Sequence, residues 1–464
     1  MNRKSLLRHL VALSYLTACI ATAPTLSAQS IPRIQFEKYK LPNGLEVILH
    51  EDHSTPIVAV DTWYHVGSGD ELVGRTGFAH LFEHIMFMGS QHVPVGQFDQ
   101  LLEAAGGDNN GSTTEDRTNY YETVPSNALS LALWLDADRM GWLLPTMDLA
   151  KVNLQRDVVK NERRQRVDNV PYGRAEETIL AALYPKTHPY SWPVIGSMAD
   201  LSAASLTDVQ NFFKTYYAPN NATLIIAGDF NPAEAKKLVA QYFSEIPRGP
   251  EVKHRTTVPA VTIPRDTFLI LEDKVQLPRV YYTWHTVKGY SKDDAALDIL
   301  SQILANDKNS RLYKKLVYDL QTAQNVRAFQ NGSRMDGRFR LDFTPKPGQK
   351  VADLDRVVRS EIANIINNGV TQRELQRAQN VYKSNFLNDL ASVLGKAEVL
   401  NSYNYFIGNP DYVQQDAARY DRVTAADVQR VAKTYLGKPK VVLTVVPEGK
   451  KEMMLTASAS GGDR

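Results

Sequence analysis

Hydrophobic and polar positions divide the chain into short strand-like runs and longer helical segments. The run from Ile57 to Val66 is rich in β-branched and aromatic residues, which is typical of a buried strand. The preceding Pro42-Asn43-Gly44 has the residue types of a hairpin turn. Apolar residues at helical spacing predict helices at about 77–89, 97–105, 127–142 and 148–166. This mixture favours an α+β fold.

The second half of the chain repeats the first. Residues 208–216 (DVQNFFKTY) recur as residues 427–435 (DVQRVAKTY), with six identities in nine at an offset of 219 (427 − 208). Each copy is followed by a β-branched run, at 222–227 and at 441–446. We therefore predict two homologous α+β halves that arose by internal duplication.

Composition shifts give the predicted segment boundaries. Residues 247–264 contain four prolines and mixed charge, as expected of a linker, and the C-terminal end is small and polar. We predict a leader, a first half, a linker, a second half and a disordered tail, at residues 1–28, 29–248, 249–264, 265–450 and 451–464.

The first 28 residues have the features of a secretory signal. Arg3, Lys4 and Arg8 precede an apolar run that ends in small residues at Ala28, and the run is short for a membrane span. We predict export to the periplasm with cleavage after Ala28. Two alternatives stay open: a membrane anchor, and a lipoprotein acylated at Cys19, which ends the lipobox-like Leu16-Thr17-Ala18-Cys19.

Cysteine and charge counts exclude some functions. Cys19 is the only cysteine, so a chain cleaved after Ala28 has no thiol nucleophile and no disulfide. Removing the three basic residues of the leader, which contains no acid, changes the formal charge from +2 to −1 (2 − 3). A near-neutral chain without a long basic stripe is not expected to bind nucleic acid.

The strongest chemical signal is the run His80-Leu81-Phe82-Glu83-His84. Residues four apart lie on one face of a helix, so both imidazoles can point at one metal ion, with Glu83 beside them. A hydrolytic zinc site has three protein ligands and an open position for water, and a nearby carboxylate serves as general base. The alternative is a helix with ordinary surface or core histidines.

The residues around this run resemble the pitrilysin/insulinase family of inverted-zincin metallopeptidases, which includes the mitochondrial processing peptidases. The resemblance rests on residues 77–89, 110–121 and 158–164, and it extends over nearly the whole mature chain. It implies zinc ligands at His80, His84 and Glu162 and a general base at Glu83. It also implies that the two halves face each other as a clamshell around unfolded peptides.

Other positions near the predicted site follow from the same resemblance. The family commonly has a glutamate seven residues before its third ligand, supporting the ligands from outside the coordination sphere, and Gln155 stands there. Residues 110–121 resemble the family's active-site strand, along whose edge a substrate adds as a further strand. Asn110 and Thr114 are therefore candidate substrate contacts, or else ordinary strand and turn residues.

The second half lacks the metal-binding residues. The positions of His80, Glu83 and His84 fall near Leu297, Leu300 and Ser301, in an apolar helix.

An Arg/Tyr pair that in the family stabilises the oxyanion is also absent, with Val317 and Gln324 at those positions. Nearby Tyr318 or Arg327 could substitute. We predict a zinc-less homologous subunit that supplies the pair in a heterodimer, with a self-sufficient homodimer as the alternative.

Together these features predict an exported zinc endopeptidase that hydrolyses unfolded peptides. The rival hypothesis is a non-catalytic structural or binding subunit of a peptidase-like complex. Such subunits have usually lost zinc ligands, whereas His80, Glu83, His84 and Glu162 are all present.

Overall fold

Two mixed β-sheets, one in each half of the sequence, form the framework of the protein in the computed structural model, which describes residues 31–457. The predicted leader with Cys19, and residues 458–464, lie outside the described residues. Between residues 31 and 457, no helix is both long enough and apolar enough to cross a membrane.

The first lobe, residues 34–248, contains a six-stranded sheet in the order β1-β2-β6-β3-β5-β4. Strands β2 and β6 are parallel and the other neighbours are antiparallel. The predicted hairpin turn joins β1 to β2, and β4 lies at one edge of the sheet. The strands are β1 Glu37–Lys40, β2 Glu46–Glu51, β3 Ile57–Tyr64, β4 Asp108–Thr113, β5 Thr118–Pro125 and β6 Ala222–Gly228.

The first lobe has eight helices, and the largest apolar cluster lies between its sheet and all of them except Ala175–Leu183. Val60, Phe82, Leu133, Phe213 and Val239 are buried in that cluster. The helices are α1 Phe78–Ile85, α2 Gln97–Ala104, α3 Leu129–Trp142, α4 Leu149–Arg163, α5 Ala175–Leu183, α6 Met198–Ala203, α7 Leu206–Tyr216 and α8 Pro232–Phe243.

The second lobe, residues 265–455, contains a five-stranded sheet in the order β7-β11-β8-β10-β9. Its strands are β7 Thr267–Asp273, β8 Arg279–His285, β9 Ala323–Gly332, β10 Gly337–Pro345 and β11 Val441–Pro447. Its helices are α9 Asp294–Ser301, α10 Val351–Asn368, α11 Gln372–Asp389, α12 Val393–Ile407, α13 Val413–Asp421 and α14 Ala425–Val431.

The two lobes have the same topology. Strands β2, β6, β3, β5 and β4 of the first sheet correspond in order to β7, β11, β8, β10 and β9 of the second, including the single parallel pair. The repeated segment begins both α7 and α14 with a capping box, formed by Ser205 with Asp208 and by Thr424 with Asp427. The prediction of an α+β fold with two homologous halves is confirmed.

The segment between the lobes has no regular secondary structure, whereas part of the C-terminal end does. Residues 249–263 contain no helix or strand. Residues 451–457 were predicted to start a disordered tail, but Lys451–Met453 form a helical turn and Leu455 is buried against the second core. The Leu455 N–H donates to Thr444 Oγ1 at 3.2 Å, so apolar contact and a hydrogen bond fix this end, and the tail prediction is wrong for these residues.

Each lobe contributes one helix to the sheet of the other. Helix α12 of the second lobe packs on β3 and β6 of the first sheet, on the face away from the first core. Helix α5 of the first lobe packs on β8 and β11 of the second sheet. The two helices are equivalent in the repeat, because residue 175 plus the offset of 219 gives 394, inside α12. The exchange is therefore symmetric.

Buried polar groups lie where α12 meets the first sheet. The Asn119 side-chain amide donates to Asp61 Oδ1 at 3.0 Å and to Glu398 Oε1 at 2.7 Å. Asn401, one turn after Glu398, donates to Asp61 Oδ2 at 3.0 Å. Two carboxyl groups from different lobes thus share one amide, with Asp61 fully buried and Glu398 partly buried.

The equivalent hairpins of the two sheets also meet. The backbone N–H of Arg334, in the β9–β10 turn, donates to Asp116 Oδ2 at 2.8 Å in the β4–β5 turn. The Arg338 guanidinium donates to Glu115 Oε1 at 3.1 Å. Acidic residues of one turn thereby pair with arginines of the other hairpin, which joins the lobes close to the end of edge strand β4.

Candidate active site

Helix α1 carries the predicted metal-binding run, and its entry requires a glycine. Gly77 has a φ of 88°, in the left-handed region, and a Cβ there would lie 2.7 Å from the Ile195 carbonyl oxygen. The chain can therefore turn into the helix only with no side chain at this position.

A buried glutamate holds the first turn of α1. The Glu71 carboxylate accepts from the backbone N–H of Gly77 at 3.0 Å, the N–H of Ala79 at 2.8 Å and Nε1 of Trp192 at 3.0 Å. Two of these donors are amides that a helix start leaves without a partner. Burial raises the pKa of Glu71 to about 8, although the three donors favour the charged form.

The predicted ligands converge from two helices. His80 and His84 stand one turn apart on α1, and Glu162 lies in the last turn of α4, which packs against α1. Glu162 Oε2 is 3.6 Å from His80 Nε2 and 3.0 Å from His84 Nε2. One potential ligand atom from each residue lies within 4.8 Å of the others, and this is the one such group among residues 31–457.

The protonation states suit metal binding. Burial, followed by the neighbouring His84, lowers the pKa of His80 to about 4, so the imidazole is neutral at ordinary pH. The hydrogen bond to His84 lowers the pKa of Glu162, which keeps it a carboxylate. Metal ligands must be deprotonated, and both groups already are.

A further observation concerns the other nitrogen of His80. Its Nδ1 is buried and has no hydrogen-bond partner within the described part of the chain. Coordination through Nε2 requires the neutral tautomer with its proton on Nδ1, and Nε2 is the nitrogen that faces Glu162. Two imidazoles and one carboxylate are the ligand types of hydrolytic zinc sites, so these residues fit such an ion.

Glu83 lies on the same helix and contacts the edge strand. Its Oε2 accepts a hydrogen bond of 2.6 Å from Thr113 Oγ1. Gly111, two residues earlier on β4, leaves space for it, because a Cβ there would lie 3.0 Å from Glu83 Cγ. Burial raises the pKa of Glu83, as is usual for a carboxyl group that exchanges protons during catalysis.

The proposed ligands are partly exposed to solvent. Side-chain exposure is 12% for His80, 23% for His84 and 14% for Glu162. Arg166, one turn after Glu162, is mostly exposed and contacts Glu162 Oε1 at 2.8 Å. The larger cavities, of about 700, 520 and 760 Å³, are lined by other residues. A second surface could therefore cover the ligands.

Gln155 does not contact the ligands in this structure. It is buried on α4, and its Nε2 lies 2.6 Å from the Met88 sulfur. It makes no hydrogen bond to His80, His84 or Glu162 among the described contacts. Its predicted support of the ligands stays a prediction.

The two predicted substrate contacts differ in their surroundings. Asn110 is exposed on β4, and its Oδ1 accepts from the Gly111 N–H at 2.8 Å. Thr114 Oγ1 accepts from the N–H groups of Asp116 and Arg117 at 3.2 Å each, which stabilises the hairpin turn. The Thr114 side chain thus has a structural partner set already, whereas Asn110 is free to meet a ligand at the sheet edge.

The second lobe has no counterpart of this site. Leu297, Leu300 and Ser301 are buried inside α9. Val317 lies in the helical turn Tyr313–Asp319, and Gln324 is the second residue of β9.

The two substitutes considered for the missing Arg/Tyr pair have different environments. Tyr318 is 56% exposed, and Arg327 pairs with Asp342 at 3.1 Å. Among the described residues, neither the ring contact of Tyr318 with Tyr313 nor the ion pair of Arg327 with Asp342 involves the first lobe.

Sequence reasoning missed Thr113, Gly111, Glu71 and Trp192. The sequence could have indicated Gly111 and Thr113, because alternate residues of a strand lie on the same face of the sheet. Residues 111 and 113 of β4 share one face, and Asn110 lies on the other. No periodic pattern marks Glu71 or Trp192, which meet through loops 121 residues apart.

Family comparisons cover both lobes. The model described as Insulinase (peptidase family M16) matches residues 46–194, and the model described as peptidase M16 inactive domain matches residues 203–382. The second match falls mostly on the lobe without metal ligands.

Several curated proteins are similar over most of their length. Zinc protease PqqE of Helicobacter pylori is 29% identical, covering 90% of this chain and 93% of that relative. The probable mitochondrial-processing peptidase subunit beta of Arabidopsis thaliana is 24% identical, covering 88% and 77%.

Solved structures agree with the fold. The crystal structure of a protease from Helicobacter pylori has a TM-score of 0.82 at 26% identity, covering 90% of this chain and all of that one. The first half of the periplasmic protease PqqL from Escherichia coli has a TM-score of 0.74 at 20% identity, covering 93% and 96%. The second likeness shows the fold alone.

Proposed function

Because this chain belongs to the insulinase family of peptidases, we propose that it is a zinc-dependent endopeptidase that hydrolyses unfolded peptides. One observation carries the proposal: His80, His84 and Glu162 bring their ligand atoms within 4.8 Å of one another. Glu83 stands beside them on the same helix.

The residues present define how zinc would be held. His80 and His84 would bind through Nε2 and Glu162 through Oε2, the atoms that already converge. When bound in such a site, zinc lowers the pKa of a water molecule and polarises the substrate carbonyl. The α1 and α4 helices fix the spacing of the ligands, and Glu71 fixes the start of α1.

Glu83 performs the proton transfers. Thr113 occupies its Oε2, so Oε1 is available to take a proton from the attacking water. The same carboxyl group then delivers the proton to the departing amine nitrogen. A pKa raised by burial favours both steps, because the group can bind and release a proton at moderate pH.

The position of β4 at the edge of the first sheet supports unfolded peptides as the proposed substrate class. An extended peptide can add to the sheet edge through backbone hydrogen bonds, which need little sequence specificity. Most strands of folded proteins are already paired within their own sheets, so unfolded peptides are the proposed substrate class.

A partner subunit is part of the proposal. Val317 and Gln324 stand where the family's Arg/Tyr pair is expected, and the ligands are partly exposed to solvent. A zinc-less homologous chain that contributes the pair would complete the site. A homodimer is the alternative, and the oligomeric state of the purified chain distinguishes the two.

Location is proposed from the leader alone. We place the mature protein in the periplasm, beginning at Gln29, with a lipid-anchored form at Cys19 as the alternative. Intact-mass measurement of the exported protein should give the mass of residues 29–464. A mass that includes acyl chains on Cys19 would support the anchored form instead.

The central test separates metal binding from hydrolysis. Glu83→Gln should retain one zinc per chain and lose hydrolysis, because it removes the base without removing a ligand. His80→Ala should lose zinc. If Glu83→Gln loses zinc as His80→Ala does, the assigned roles are wrong. If the zinc-loaded chain with its partner cleaves no peptide, the non-catalytic subunit is the better description.

A further inference from the structure

A hydrogen bond from Thr113 links Glu83, the proposed general base, to β4, the strand to which the substrate would add. Thr113 Oγ1 donates to Glu83 Oε2 at 2.6 Å across 30 residues of sequence. Gly111 forms the floor under the Glu83 side chain, with its hypothetical Cβ 3.0 Å from Glu83 Cγ and 3.4 Å from Tyr120 Cδ1.

The hydrogen-bond pattern of the hairpin shows which backbone groups of β4 face outward. The Thr114 N–H donates to the Arg117 carbonyl at 2.9 Å, so Thr114 and Arg117 form a hydrogen-bonded pair. Pairs alternate along an antiparallel ladder, which makes Ser112 with Asn119 the next hydrogen-bonded pair. Thr113 and Gly111 fall between these pairs, and their N–H and C=O groups point away from β5.

The contacts of Gly111 agree with this pattern. Its N–H donates to the side-chain oxygen of Asn110 at 2.8 Å, not to a carbonyl of β5. A peptide that adds to the edge would therefore take over this N–H, displace the Asn110 side chain and pair with Gly111 and Thr113.

We propose that Thr113 is a positioning residue that fixes the Glu83 carboxylate relative to the bound peptide strand, with Gly111 providing the space. The Thr113 backbone pairs with the substrate while its hydroxyl holds the base, so one residue sets the distance between the attacking water and the scissile bond. This inference rests on the proposed peptidase function.

Two substitutions at Thr113 test the hydroxyl directly. Thr113→Val keeps the backbone groups and the shape of the side chain but removes the donor. We expect kcat to fall roughly tenfold to a hundredfold while KM and zinc content stay unchanged. Thr113→Ser restores the donor and should recover most of the activity. The assay is a quenched-fluorescent unstructured peptide with the zinc-loaded chain and its partner.

A matched control and a structural readout keep the test decisive. Thr123→Val makes the same change on β5, on the sheet face opposite Tyr120 and Val124, and should leave kcat unchanged. Crystal structures of the metal-free variants should show the Glu83 carboxylate displaced in Thr113→Val and in place in Thr113→Ser and Thr123→Val.

Failure of this inference is distinct from failure of the proposed function. If Thr113→Val matches Thr123→Val in kcat while Glu83→Gln is inactive, Thr113 has no positioning role. If the wild-type protein itself is inactive, the proposed function fails. The position of Glu83 in the Thr113→Val crystal structure then still decides whether Thr113 holds it.

Discussion

The buried side chain of Glu71 holds the start of α1, the helix that carries the proposed metal ligands His80 and His84. It is a buried carboxylate in a loop, and both its oxygens accept hydrogen bonds, two from the start of α1 and one from Trp192. His80 lies one residue beyond the last of these backbone donors. The ligand geometry therefore depends on a residue that cannot itself bind the metal.

Replacing Glu71 should weaken both the fold and the site. Glu71→Ala leaves the N–H groups of Gly77, Ala79 and Trp192 buried without their acceptor. We expect the free energy of unfolding to fall by about 3 kcal/mol, since each unsatisfied donor costs roughly 1 to 3 kcal/mol. Zinc affinity should fall as well, because α1 is no longer fixed.

Denaturant unfolding and zinc titration measure the two effects of Glu71→Ala. Glu103→Ala, at an exposed position on α2, is the matched control and should behave as wild type. Equal zinc affinity in Glu71→Ala and wild type would show that α1 holds its ligands without this carboxylate.

Local spacing explains why part of the site could be predicted from sequence. His80, Glu83 and His84 lie within two helical turns, so their geometry follows from helix formation alone. Glu162 required the family resemblance, since it comes from a second helix. Thr113 was missed because its contact with Glu83 depends on how α1 packs against β4, which sequence periodicity does not encode.

At the level of secondary-structure elements, α12 is the unexpected feature. It has buried residues such as Ala397 and Leu400, but the sequence does not indicate which sheet it covers. In the structure, α12 packs on β3 and β6 of the first lobe, although it belongs to the second lobe in sequence. This packing places the buried Asp61 and the partly buried Glu398 around the amide of Asn119.

Stability should depend on pH through this buried pair. Burial raises the pKa of Asp61, with the neighbouring Glu398 adding to the effect, and burial also raises the pKa of Glu398. The folded chain then keeps protons that the unfolded chain has lost above about pH 4. The contribution to stability is therefore present at low pH and is lost as pH rises through the folded-state pKa values.

The pH effect can be isolated with one substitution. Glu398→Gln cannot ionise, so its free energy of unfolding should fall less than that of wild type between about pH 5 and about pH 9. Glu103→Gln, exposed on α2, should keep the wild-type slope. Identical pH slopes in all three proteins, measured by denaturant unfolding, would mean that the pair is not coupled to folding.

At the scale of the whole molecule, the partly exposed ligand site and the missing Arg/Tyr pair predict dependence on a partner. The chain alone should cleave unfolded peptides weakly. A zinc-less homologous chain carrying the pair should raise kcat/KM by about 10² to 10³, the effect of an oxyanion donor. Rates measured on the chain alone and after titration with the partner test this.

One result would contradict the dependence of peptidase activity on a partner chain. Full peptidase turnover by a chain shown to be monomeric by sedimentation would require an oxyanion donor within this polypeptide. Tyr318→Phe and Arg327→Ala would then identify it, since these are the substitutes that the sequence offers near the expected positions.

At this scale the sequence predicts the duplication but not the contacts between the lobes. The duplication was visible because residues 208–216 and 427–435 keep a helix and its cap at constant spacing. The contacts between the lobes were not, because pairs such as Asp116 with Arg334 are separated by 218 residues. The sequence does not predict the ordered position of Leu455, because the short apolar run Met453-Met454-Leu455 gives no periodic signal.

The symmetric exchange of α5 and α12 has a consequence for the history of the molecule. A protein made of one half alone would leave the outer face of its sheet bare, and two identical copies could each close the other's sheet by trading this helix. That arrangement is a domain-swapped dimer. The linker at residues 249–264 keeps this arrangement within one polypeptide, so the exchange of the two helices does not depend on protein concentration.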